Sequence, residues 1–382
     1  MVSSPILLDY QSSTPCHAEV VESMSSYWTK NFANPSSKSN LAGISASAVL
    51  EASREIICQK LDIQTKKVIF TSGATESNNL ALIGFARNFY QRTGRLGNIV
   101  TLKTEHHAVL EPIEKLKQEG FTTTEIVPNE DGLITEEIVR NAFKPDTFLV
   151  SIMFANNEIG VVQPLRNIAK ICKLNGIILH SDFAQCLGYI PLPALDSVAN
   201  MITLSSHKIY GPKGVGLLLV DKDIQISPLF AGGGQEFGFR PGTIPLPLIV
   251  GFAKAIELAV KHQEDNTKRL SNLRDYLLRG LLENNPEIIV NGSLEERLPH
   301  NLNITIPKVR GSFLHKHLKP KIVCSSGSAC SNGRPSHVLL ALGKSKQEAE
   351  ASIRFSIGLM TTKEEIEEAI IIISRVIREI RN

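Results

Sequence analysis

At 382 residues the chain exceeds one compact core and suits two domains. Its 42% hydrophobic and 21% charged residues are ordinary for a globular protein, and a net charge of +3 without a basic block predicts no nucleic-acid surface and no direct nucleic-acid partner. No apolar run approaches the roughly 18–20 residues of a membrane span, and no basic stretch followed by an apolar one marks a secretory signal at the N-terminus. Six scattered cysteines with no CxxC pair exclude a zinc knuckle or disulfide framework and suit a reducing cytoplasm, with no metal expected.

In chain order, strand-like apolar runs fall at 68–71, 98–102, 148–153, 176–180, 201–204 and 215–220. Between them lie helical patterns near 75–92, 107–118, 135–143 and 165–174. Such alternation predicts crossover connections and a largely parallel α/β sheet covered on both faces. From 246 to 284 the pattern is helical. Short strands at 288–290, 303–306 and 352–356 and an amphipathic helix from about 363 then predict a smaller α+β domain at the C-terminal end.

Three motifs follow predicted strands. Thr71-Ser72-Gly73-Ala74-Thr75-Glu76-Ser77 places small and hydroxylated residues at a strand-to-helix junction, where backbone N–H groups suit a phosphate. An ordinary N-cap explains the same residues equally well. Asp182, after the apolar run 177–179, lies at the sheet edge where α/β proteins bind ligands, and a carboxylate there can hold a protonated ring nitrogen. Ser205-Ser206-His207-Lys208, after 201–204, sets a lysine among apolar, glycine- and proline-rich flanks that suit Schiff-base chemistry.

With these motifs the chain resembles the cysteine desulfurases, class V aminotransferases of the fold-type I pyridoxal-phosphate (PLP) architecture. The resemblance runs nearly end to end, through Leu8-Asp9-Tyr10, Asn34-Pro35-Ser36-Ser37, Lys103-Thr104-Glu105-His106, Asn156-Asn157-Glu158-Ile159-Gly160, Arg240-Pro241-Gly242-Thr243, Ser325-Ser326-Gly327-Ser328-Ala329-Cys330 and Ser352-Ile353-Arg354-Phe355-Ser356. It implies a large PLP-binding domain, residues 16–260, on a mostly parallel seven-stranded sheet. Residues 1–15 and 261–382 would form the small domain with a mobile cysteine loop. Lys208 would carry the covalent link to PLP and Asp182 would pair with its ring nitrogen. His106 would stack on the ring, Gln185 would bond its phenolic oxygen, and Asn157 would lie beside it near the substrate. Ala74, Thr75, Ser205 and His207 would line the phosphate cup. Thr243 would reach the cup of a second subunit, implying a homodimer, and Arg354 would clamp the substrate carboxylate.

Cys330 lies in a loop of small residues that can move but cannot pack a core. The resemblance makes it the catalytic thiol that takes sulfur from L-cysteine as a persulfide, releasing L-alanine. The sulfur would pass to an acceptor protein for iron–sulfur cluster assembly or tRNA thiolation. A thiol needs activation at pH 7, and either His106 or the cofactor linkage can supply it. A carbon–sulfur lyase releasing free sulfide or selenide is the alternative, and it has no need of Cys330. A non-catalytic relative would not need Lys208, Asp182 and His106. Cys324, at the end of an apolar run, reads as structural. Asn40 stands where the family motif has histidine, and it cannot titrate near neutrality.

Overall fold

Buried runs of β-branched residues and leucine form the sheet that the alternating pattern predicts. The computed structural model describes residues 5–326 and 335–381. Its strands are β1 (Ile6–Leu7), β2 (Lys66–Thr71), β3 (Asn98–Leu102), β4 (Thr122–Ile126), β5 (Thr147–Ser151), β6 (Ile178–Asp182), β7 (Met201–Ser205), β8 (Gly216–Asp221), β9 (Ile289–Val290), β10 (Asn301–Thr305), β11 (Ile322–Val323) and β12 (Ser352–Ser356). Seven of them form one sheet in the order β2-β8-β7-β6-β5-β3-β4. β8 runs antiparallel to both neighbours and the rest share one direction. The carboxyl ends of those parallel strands therefore lie on one edge, and the segments leaving them converge there.

Helices His107–Gln118 and Leu165–Leu174 occupy the expected positions. The helical run leaving β2 is interrupted by a π-turn at Leu80–Gly84, between Ala74–Asn79 and Phe85–Thr93. Three features went unpredicted. β4 is an edge strand whose Thr122-Thr123-Thr124-Glu125 face is largely open to solvent, so it lacks an apolar signal. Helices Ala18–Thr29 and Leu41–Lys60 pack on Leu246–Lys261. Asn40 caps the second of these: its side chain accepts from Gly43 N at 2.8 Å and donates to Ser37 Oγ at 2.8 Å. A helix cap is a task for which asparagine suits well, and no proton transfer is needed.

The smaller part has a three-stranded antiparallel sheet, β12-β10-β9, and a parallel pair, β1-β11. Helices Gln263–Asn284 and Lys363–Arg381 pack on each other beside it. Ile304, Ile353, Phe355, Ile373 and Ile377 lie in its own apolar core. β12 brings Arg354 up to the edge where the large sheet's loops meet. The N-terminal strand β1 returns the chain to the same place, so residues 9–14 cross the sheet edge.

Candidate active site

The loops at that edge enclose a cavity of about 620 Å³. Ala74, Thr75, His106, Asn157, Asp182, Gln185, Ser205, His207, Lys208 and Arg354 all line it. Thr243 is exposed and does not line it. Cys330 lies outside the described residues.

One wall follows β2. Gly73 has φ +153°, a conformation that side chains rarely adopt, and a Cβ added there would meet open space. The first helical turn after it, Ala74 to Glu76, faces the cavity. Opposite, Ser205 is buried, and its Oγ has no hydrogen-bond partner among the described residues. A buried hydroxyl without a partner is costly unless a ligand takes it up. His207 is held by a 3.2 Å contact between Nδ1 and Ser13 Oγ. Burial, with Lys208 and Lys213 nearby, pushes its pKa down to about 4, so it is a neutral donor at pH 7. This combination suits an anion such as a phosphate.

Asp182 ends β6 with its carboxylate fixed on both oxygens. Asn78 Nδ2 donates to Oδ2 at 2.7 Å and Ala184 N to Oδ1 at 2.8 Å. Asn78 was not singled out in the sequence, because its role comes from a partner distant in the chain. His106 caps the helix His107–Gln118, its Nδ1 accepting from Ala108 N at 3.0 Å. Burial lowers its pKa against the opposing pull of Asp182. The lowered pKa favours the neutral ring.

Lys208 leaves β7 on the short turn Ser206–Lys208. Its Nζ donates to the carbonyls of Gln11 at 2.5 Å and Ser12 at 2.9 Å, and its own carbonyl accepts from Tyr189 Oη at 3.0 Å. Gln185 Nε2 reaches the same Gln11 carbonyl at 3.4 Å. Residues 11–13 thus form the lid of the site, a role their sequence did not reveal. Arg354 Nη2 donates to Asp9 Oδ1 at 2.6 Å and Ser12 Oγ at 2.8 Å, and Nη1 to the Asn157 carbonyl at 2.7 Å. Its Nε is buried with no hydrogen-bond partner among the described residues.

Two buried acids were also missed. Glu105 accepts from Met153 N at 2.6 Å, and burial raises its pKa well above the ordinary 4.5. Glu158 lines the cavity and accepts from Ser336 Oγ. Burial pushes it to about 7, against that hydrogen bond and the nearby Arg354. A carboxyl whose folded pKa is raised stabilises the fold fully below its ordinary 4.5 and loses that contribution as pH rises through about 7. Glu158→Gln should therefore remove part of the fall in stability between these limits, on the order of 2–3 kcal/mol. Urea unfolding of both proteins across that range measures it; parallel pH profiles would contradict the assignment.

Cys324 is half-buried, and burial, reinforced by Asp9, pushes its thiol up to about 12. It is a protonated packing residue at neutral pH. Cys16, Cys58, Cys172 and Cys186 are likewise unpaired, and no cluster able to hold a metal occurs among the described residues.

The class-V aminotransferase family model matches residues 6–369. A probable mitochondrial cysteine desulfurase of Dictyostelium discoideum is 42% identical over 99% of this chain and 84% of its own length. The cysteine desulfurase IscS of Dechloromonas aromatica (strain RCB) is 42% identical over 99% of this chain and 93% of its own. A solved NifS-like protein superposes with a TM-score of 0.90 at 33% identity, covering 98% of this chain and all of the other. The chain belongs to the class-V aminotransferases and, within them, to the PLP-dependent cysteine desulfurases.

Proposed function

We propose that the cavity converts L-cysteine to L-alanine and leaves the sulfur on Cys330 as a persulfide. The observation that carries this reading is the convergence of Lys208, Asp182, His106 and Arg354 on one cavity. PLP, when bound, supplies an electron sink for the substrate's Cα. Ser205, His207 and the turn Ser72–Thr75 would hold its phosphate, Asp182 would pair with its ring nitrogen, His106 would cover the ring and Gln185 would bond its phenolic oxygen. Lys208 holds the cofactor and then moves the Cα proton. Arg354, with Asn157 beside it, binds the substrate carboxylate. The carbon–sulfur bond breaks as Cys330 sulfur bonds the substrate sulfur, and alanine leaves. The test is product balance: one alanine formed for each cysteine consumed, with a thiol present to discharge the persulfide. Pyruvate and ammonia in its place would reject the reading.

The enzyme acts as a homodimer in which Thr243 completes the neighbour's phosphate cup. The exposure of Thr243 supports this, as do Trp28, Phe32, Leu41 and Ile44, which stand exposed on and beside the helices Ala18–Thr29 and Leu41–Lys60. Sedimentation should give about twice the 41.9 kDa chain mass at any assay concentration. A fully active monomer would contradict it. The division into residues 16–260 and 1–15 with 261–382 is supported by the separate apolar core around Ile304, Phe355 and Ile373 and by the helix break at His262. The sulfur goes to an acceptor protein of iron–sulfur assembly or tRNA thiolation in the cytoplasm. No helix among the described residues is long and apolar enough to cross a membrane.

A further inference from the structure

Glu76 presents a difficulty for any phosphate in this cavity. It stands in the first turn of the helical run after Gly73, and it lines the same cavity as the hydroxyl of Ser205. A carboxylate at that place repels a phosphate dianion at short range. The fold answers with two contacts. Glu76 Oε2 accepts from Ser72 N at 2.6 Å, and Arg240 Nε donates to Oε1 at 2.9 Å. Both charged side chains are largely shielded, 11% exposed for Glu76 and 21% for Arg240. Burial alone would raise the pKa of Glu76, but the hydrogen bonds from Arg240 and Ser72 hold it below the usual range. The acid is thus ionised, and its charge must be balanced.

Arg240 is itself held in place. Two residues shortly before it, Glu236 and Phe237, have φ values of 48° and 61°, in the left-handed region. Strained backbone of this kind persists only where its surroundings enforce it. Glu236 is buried and accepts from Phe70 N at 2.7 Å and from Arg54 Nη2 at 3.0 Å. The loop is therefore fastened to β2 one residue before Thr71 and again, through Arg240, to Glu76. These two anchors bracket the turn Ser72–Thr75. Arg240 also precedes Thr243 by three residues.

We infer that Arg240 is a positioning residue for the cofactor phosphate: it neutralises Glu76, which in turn fixes the Ser72 N–H at the mouth of the cup. The inference rests on the reading of Ser72–Thr75 and Ser205 as the phosphate site. It assigns opposite consequences to the two partners of one ion pair. Losing Arg240 exposes a carboxylate to the phosphate, whereas losing the charge of Glu76 removes the repulsion, and glutamine still accepts from Ser72 N. A merely structural pair would be harmed equally from either side.

The experiment measures binding of PLP, and of pyridoxal, which lacks the phosphate, to the full-length apoprotein by equilibrium dialysis. Arg240→Met should weaken PLP by about tenfold, the order expected for an unscreened partly buried charge, and leave pyridoxal unchanged. Glu76→Gln should bind PLP at least as tightly as the parent. The double variant should return to within about threefold of the parent, the coupling a double-mutant cycle isolates. Were Arg240→Met unable to fold, Glu76→Gln and the double variant would still decide the question. Equal damage from Glu76→Gln, or a double variant as weak as Arg240→Met, would overturn the inference. A parent that holds PLP no tighter than pyridoxal would overturn the phosphate site itself, and this inference with it.

Discussion

Lys208→Ala should remain folded and bind PLP only non-covalently, with desulfuration slowed by at least about a thousandfold, the scale of a lost general base. Lys208 lies at the end of β7, and its Nζ is held by two carbonyls of the residues 11–13 lid. The amine is therefore aimed across the cavity before any ligand arrives, so its removal costs chemistry more than stability. Lys208→Arg keeps the charge and can reach the same carbonyls, but cannot link covalently, and should be nearly as inactive. Borohydride reduction and peptide mapping should place a pyridoxyl label on Lys208 in the parent and none in either variant. Parental rates of alanine formation in Lys208→Ala would remove this lysine from the mechanism.

The parts of the site legible in the sequence share one form: an apolar strand followed at once by small or chemically distinctive residues. Asp182, Lys208 and the Ser72–Thr75 turn all follow that form, and all converge at the sheet edge. What stayed hidden depends on tertiary partners. Asn78 matters because it meets Asp182 across 104 positions of chain. Ser12 and Ser13 gain their place only from the fold, which closes them over Lys208 and His207. Glu158 reads as an ordinary acid until burial against Ser336 shows otherwise. In the fold, β4 escaped because an edge strand needs no apolar face. Helix Leu41–Lys60 escaped because its alanines and serines blur the helical period. Thr243 had no local signal at all, and only the family resemblance assigns it a partner, on a second subunit.

Cys330→Ala should bind PLP and respond spectrally to cysteine, yet form neither persulfide nor alanine at a useful rate. In the proposed reaction, attack on the substrate sulfur follows the steps assigned to Lys208 and Asp182, so those steps should survive the substitution. Cys324→Ala should act nearly like the parent. The Cys324 thiol is half-buried and pushed up to about 12, so the change costs only modest packing. Both cysteines lie within one short stretch of chain, which makes each the control for the other. The most direct measurement is mass spectrometry of the intact holoenzyme, then of its peptides, after brief incubation with L-cysteine and without added thiol. The parent and Cys324→Ala should each gain the mass of one sulfur atom, located on the peptide containing Cys330, while Cys330→Ala gains none. Release of sulfide with pyruvate and ammonia by Cys330→Ala at the parental rate, with no sulfur on any cysteine of the parent, would contradict the account and leave an eliminating lyase in its place.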